Sequence, residues 1–123
     1  VFPQPWPAGV FDQYLGRPGF LVAEDGAVVG YIVADMVDSR DRTLGHVKDL
    51  AVRADRRREG IASGLLSRAL EVLSARVDSV KLEVRAGNSG AIDLYRRHGF
   101  SYRRRLDGYY ANGEDALVLV RPV

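Results

Sequence analysis

The stretch Arg53-Ala-Asp-Arg-Arg-Arg-Glu-Gly-Ile-Ala-Ser-Gly-Leu-Leu66 constrains the fold most, because of what it joins. Before it, Gly45-His-Val-Lys-Asp-Leu-Ala-Val52 has strand character. After it, Ile61, Leu65, Leu66, Ala69, Leu70, Val72 and Leu73 recur at helical spacing. Asp78 breaks that helix, and Ser79-Val-Lys-Leu-Glu-Val-Arg85 reads as a strand again. Two strands joined by a helical crossover of this length run parallel in one sheet. The turn that opens the helix leaves backbone N–H groups without intrahelical partners, and the helix dipole adds partial positive charge there. Such a terminus suits a phosphate or pyrophosphate. Gly60 and Ala62 let an anion approach the backbone, and Arg57 and Arg58 add charge at the mouth. Many strand-to-helix turns carry Gly and Arg and bind nothing, so the turn alone leaves both readings open. No Gly-Lys-Ser/Thr and no Gly-x-Gly-x-x-Gly occurs, which excludes a triphosphate loop and a dinucleotide fingerprint.

The rest of the chain places this crossover inside one domain. A length of 123 residues fits one domain, and 46% apolar residues are enough for a core. Cysteine is absent, which excludes disulfides, thiolate-metal sites and a cysteine nucleophile. No apolar run approaches the roughly 20 residues of a membrane helix. Val1-Phe-Pro-Gln-Pro-Trp-Pro7 lacks the basic start and apolar core of a signal peptide. A cytoplasmic protein is the default expectation. Net charge is only +2, with acids interspersed among the arginines except at Arg56–Arg58 and Arg103–Arg105, so no nucleic-acid partner is expected.

Along the chain, Pro3, Pro5 and Pro7 forbid a regular helix, and Val10 to Leu15 reads as a short one. Phe20–Glu24, Ala27–Met36 and Thr43–Val52 read as an antiparallel meander, with a hairpin at Asp25-Gly26 and a polar turn at Asp38–Arg42. After the crossover, Ser89 is the expected N-cap of a second helix over Ala91–His98, stopped by Gly99. Tyr102–Leu106 and Ala116–Val120 form a last antiparallel pair, joined by a long loop carrying Tyr109 and Tyr110. The fold class is α/β: a mixed, mostly antiparallel sheet with a parallel pair at its centre. Ligands of such sheets bind beyond the carboxyl ends of the parallel strands. That groups Leu50–Val52, the turn Arg57–Ser63, Arg85 and Asn88. His46 and His98 read as structural, His98 as a cation favoured at a helix end. No cluster with metal-ligand spacing is present, and no metal is expected.

Arg57-x-x-Gly60-x-Ala62 resembles the acetyl-CoA pyrophosphate motif of the GCN5-related N-acetyltransferases. Leu82-Glu-Val-Arg-Ala-Gly-Asn-Ser-Gly-Ala-Ile-Asp-Leu-Tyr-Arg-Arg-His-Gly-Phe100 is similar to the rest of that family's core. Tyr109-Tyr-Ala-Asn-Gly-Glu-Asp-Ala116 and Phe2-Pro-x-Pro-Trp6 resemble motifs of its protein N-terminal acetyltransferase branch. Four motifs in order make the resemblance specific over the whole chain. It implies a single acetyltransferase domain with a splayed parallel pair, lacking the strand and helix start that relatives carry before Phe2. It implies acetyl-CoA as co-substrate and an acceptor that is a protein or peptide N-terminus, a ribosomal protein among the candidates, with a monomer or weak dimer as the assembly. Leu50, Ala51 and Val52 then pair with the pantetheine arm. Arg57, Arg58, Glu59, Gly60, Ile61, Ala62 and Ser63 take the pyrophosphate, and Asn88 contacts CoA. Glu83 matches the base and Tyr95 the acid that protonates sulfur. A phenol of pKa about 10 suits that task. Phe2, Trp6, Tyr109 and Tyr110 face the acceptor. Two alternatives stay open: the same fold acting on a lysine or a small-molecule amine, and a non-catalytic acyl-CoA-sensing or nucleic-acid-binding module.

Overall fold

The structure, a computed structural model, describes residues 10–11, 21–24, 26–58 and 60–123. A two-residue strand, β1 (Val10–Phe11), pairs antiparallel with β2 (Leu21–Glu24). The short helix expected from Val10 is thus replaced at its start by extended backbone, which suits a β-branched and an aromatic residue. β2 pairs with β3 (Val28–Ser39), and β3 with β4 (Arg42–Val52), as the expected meander. The turn between β3 and β4 is tighter than the polar composition implied. Ser39 pairs with Arg42, so Arg40 and Asp41 alone reverse the chain, with Arg40 at a φ of 57°. Thr43 Oγ1 donates to Asp38 Oδ1 at 3.0 Å and ties the two strands beside it.

Beyond a single turn at Ala54–Arg56, α1 (Ile61–Ser74) crosses to β5 (Ser79–Arg85). α2 (Ser89–Arg97), β6 (Ser101–Leu106) and β7 (Ala116–Pro122) complete the chain. The sheet order is β1-β2-β3-β4-β5-β7-β6, and β4–β5 is its parallel pair. α1 turns Ile61, Leu65, Leu66, Ala69, Leu70 and Leu73 inward, one stripe of a 3.6-residue period. They share one apolar cluster with Leu21, Ile32, Ala34 and Val47 of the meander and Val80, Leu82 and Leu119 beyond it. Tyr95 of α2 joins that cluster edge-on to Phe100, with ring centroids 5.8 Å apart. Gly30 permits the close seat of α1. A methyl there would stand 3.0 Å from the Ala51 carbonyl oxygen and 3.2 and 3.3 Å from Ile61 and Leu65, too tight without a shift of backbone or helix.

One irregularity creates the site. β4 and β5 pair only from Leu44↔Ser79 to Val47↔Leu82, although β4 runs on to Val52 and β5 to Arg85. The β3–β4 register jumps at the same level: Ala34 faces Val47 but Val33 faces Asp49, leaving Lys48 as the extra residue of a bulge. A bulge bends and twists its strand. β4 leaves β5 there, and the two strands diverge toward their carboxyl ends.

Candidate active site

Two clefts open where β4 and β5 part. The first, about 550 Å³, lies on the helix side of the sheet and is lined by Leu50, Ala51 and Val52, the turn into α1, and Ala91, Leu94, Tyr95 and Arg97 of α2. The turn has the shape its sequence implied. Arg58 adopts a φ of 65° and Gly60 one of 82°, so the chain curls ahead of the helix. The N–H of Gly64 donates to Gly60 O at 2.9 Å. The N–H groups of Ile61, Ala62 and Ser63 therefore precede that bond, and Gly60, the N-cap, has no side chain with which to cap them. Arg56, Arg57, Arg58 and Arg97 surround them, giving a cleft with apolar walls and a cationic end. Arg57 Nε also reaches Val52 O at 3.5 Å.

The second cleft, about 270 Å³, opens between Asp49 and Leu50 on β4, Glu83 and Arg85 on β5, Asn88, and Tyr110 of the β6–β7 loop. Glu83 alternates with the buried Leu82 and Val84, so it points away from the helices. Leu50, Ala91 and Tyr95 line both clefts and form the point where they meet. His46 Nε2 lies 2.6 Å from Glu83 Oε1, and Lys81 Nζ lies 3.4 Å from Oε2. Burial pushes the Glu83 carboxyl up, but the hydrogen bond and charge that His46 brings, with Lys81 beside it, outweigh burial and hold it below its ordinary value. Tyr95 is 8% exposed. Burial, then the charges of Asp49 and Tyr110, push its phenol up to about 12.

The structure brings most of the residues singled out from the sequence together. Leu50, Ala51, Val52, Arg57, Arg58, Gly60, Ile61, Ala62 and Ser63 line the first cleft, Glu83 and Tyr110 the second, and Tyr95 both. Phe2, Trp6 and Glu59 lie outside the described residues. Asn88 stands apart from the first cleft. It, and not Ser89, is the N-cap of α2, its Oδ1 accepting from Ala91 N–H at 3.1 Å, and it faces the second cleft. Tyr109 is 51% exposed and packs edge-on against Tyr110, centroids 5.0 Å apart. Arg85, expected at the cleft, holds the β6–β7 loop there. Its guanidinium stacks 4.0 Å from the Tyr110 ring centroid and bonds Glu114 at 2.9 Å.

Two histidines gain specific partners. Parallel pairing sets His46 beside Lys81 and onto Glu83, 37 residues away. His98 is structural as expected, but its surroundings disfavour the cation that a helix end would favour. Burial and the charges of Arg121 and Arg97 push its pKa down, and its Nε2 lies 2.9 Å from Ser63 Oγ, joining α2 to α1. Arg56 and Arg97 were missed as lining residues. Arg97 has no local signal, because the packing of α2 beside α1 brings it to the cleft.

Residues 1–100 match the acetyltransferase (GNAT) family. An N-alpha-acetyltransferase of Sulfurisphaera tokodaii is 37% identical over all of this chain and 81% of its own length. Among solved structures, a chain of the NatC complex bound to Gag peptide and CoA superposes with a TM-score of 0.83 at 32% identity, over 85% of this chain and 71% of that one. Ard1 from Thermoplasma volcanium gives 0.77 at 34% identity, over 85% and 70%. The diverging parallel strands, the glycine turn that opens α1 and these likenesses together place the chain in the GNAT family of acetyltransferases, among the N-alpha-acetyltransferases.

Proposed function

We propose that the two clefts deliver acetyl-CoA and the N-terminus of a protein or peptide to opposite sides of the β4–β5 opening, and that acetyl passes directly between them in a ternary complex. The observation that carries this reading is the meeting of the clefts at Leu50, Ala91 and Tyr95, with Glu83 on the amine side. The first cleft fits the co-substrate: an apolar passage with an open strand edge at Leu50–Val52 for amide groups, leading to N–H groups and arginines for a pyrophosphate. Bound acetyl-CoA supplies an activated thioester. An N–H on the open edge of β4 near Val52 stabilises the oxyanion.

The proton accounting assigns the side chains. A peptide α-amine has a pKa of about 7.7–8.0, so a fair fraction is neutral at physiological pH. Glu83, held below its ordinary value, is a poor base toward a free ammonium. It is an adequate one once nitrogen has attacked the carbonyl and become strongly acidic. Glu83, kept in place by His46, takes that proton directly or through water, Tyr95 gives one to the departing sulfur, and the products are the acetylated amine and free CoA thiol. Acceptors with small first residues, including ribosomal-protein tails, belong in the first panel, and a cytoplasmic place goes with that acceptor class.

The test is CoA thiol release with a peptide and its N-terminally blocked form carrying an internal lysine. Release that vanishes on blocking is the expected result. Release that persists would transfer the reading to the lysine side chain. The pH dependence follows from the same assignments. Glu83 is held below its ordinary carboxylate range and Tyr95 is pushed up to about 12, so neither bends the profile around neutral pH. Peptide kcat/KM is expected to rise through about pH 7.7–8.0 and level off, and the midpoint to drop when the first residue carries a less basic amine. A midpoint indifferent to the peptide's amine would assign that titration to the enzyme.

A further inference from the structure

The charged groups facing the amine-side cleft are unequally partnered. Lys48 Nζ lies 3.2 Å from Asp35 Oδ2, and Arg85 is bound to Glu114 and stacked on Tyr110. Glu83 holds His46 and Lys81. Asp49 differs from these three: its hydrogen bond is to a neutral group, with Tyr31 O–H donating to Oδ2 at 2.8 Å. The phenol comes from the neighbouring strand, where Tyr31 pairs with Ala51, so it fixes the direction of the carboxylate without compensating its charge. Asp49 also sits on the diverging arm of β4, just past the bulge, across the opening from Glu83. Among the described residues, both cations lining the cleft are committed elsewhere, and the charge they leave at its mouth is negative.

We propose that Asp49 selects the acceptor by charge, admitting N-termini whose first two side chains are neutral or basic and rejecting those that carry a carboxylate there. This deepens the N-terminal acetylation reading and rests on it. The physical ground is distance. An extended chain advances at most about 3.3–3.6 Å per residue, so a side chain in the first two residues lies within about 7 Å of the amine. A carboxylate on one of those residues meets the exposed Asp49 carboxylate at the cleft mouth, and like-charge repulsion at the effective dielectric of a protein surface is enough for about tenfold discrimination. The ammonium form of every acceptor is drawn to the same carboxylate, so the charge that excludes acidic termini also gathers amines at the opening.

The experiment compares kcat/KM for peptides identical except for Asp, Asn or Lys at the first or the second residue, in wild type, Asp49→Asn and Tyr31→Phe. Each ratio is internal to one variant, so a general loss of activity cancels. In wild type the Asn peptide is expected to exceed the Asp peptide by about tenfold at one of the two positions. Asp49→Asn should bring that ratio below about threefold, and Tyr31→Phe should keep most of it because the charge stays. An unchanged ratio in Asp49→Asn would overturn the assignment while leaving acetyl transfer intact. A wild type that releases no CoA thiol with any peptide would overturn the acetylation reading itself, and this inference with it.

Discussion

Glu83→Gln is expected to lower kcat for peptide acetylation by about 10²–10³-fold, with the KM for acetyl-CoA near wild type. Glutamine keeps the size of the side chain and still presents an oxygen to His46, so the site keeps its shape. What disappears is the ability to take a proton from nitrogen after attack. The cleft proposed for the co-substrate does not include Glu83 in its lining, and co-substrate binding gives the control. Initial rates at saturating peptide, with acetyl-CoA varied, separate the two constants. A variant with wild-type kcat would leave solvent water as the proton acceptor and reduce Glu83 to an anchor for His46 and Lys81.

Tyr95→Phe is expected to lower kcat by about 10²-fold. The ring stays, so the edge contact with Phe100 and the core beneath it are kept. The raised phenol pKa changes what the hydroxyl can do. At about 12 it lies roughly 3.5 units above an ordinary thiol of about 8.5, so complete transfer of its proton to a thiolate runs uphill. It remains a hydrogen-bond donor at every working pH, and its proton moves as charge develops on sulfur. The sequence reading, with an unperturbed phenol, made it a better acid than its surroundings allow. The dependence on leaving group tests this directly. With acyl donors of more acidic thiols, which need less help in leaving, the penalty of Tyr95→Phe should shrink; a constant penalty would make Tyr95 a packing residue.

The sequence revealed those parts whose partners lie close along the chain. The anion turn was legible because glycine, arginine and the helical apolar period fall within 14 residues, Arg53 to Leu66. The parallel pair followed from the crossover between β4 and β5, and Glu83 and Tyr95, singled out by the order of motifs, line the clefts at its opening. Parts decided by register were not legible. His46 reads as an ordinary strand residue until β4 lies parallel to β5, because nothing local to Gly45-His-Val47 announces a carboxylate 37 positions away. Arg85 carries a motif position, yet its stack on Tyr110 depends on how the β6–β7 loop folds back. Asn88 and Ser89 are both good caps, and α2 beginning at Ser89 rather than Ala91 decided between them.

The four-residue seam between β4 and β5 has a thermodynamic consequence. It is the backbone ladder joining the meander half of the sheet to the β5–β7–β6 half. Any molecule lodged across the unpaired stretch touches both halves at once and acts as a staple. Occupancy then resists separation of the halves, by about 2.7 kcal/mol at a hundred times the dissociation constant. The enzyme's resistance to heat and proteolysis is therefore expected to rise with acetyl-CoA concentration, the donor acting as a clasp as well as a reactant.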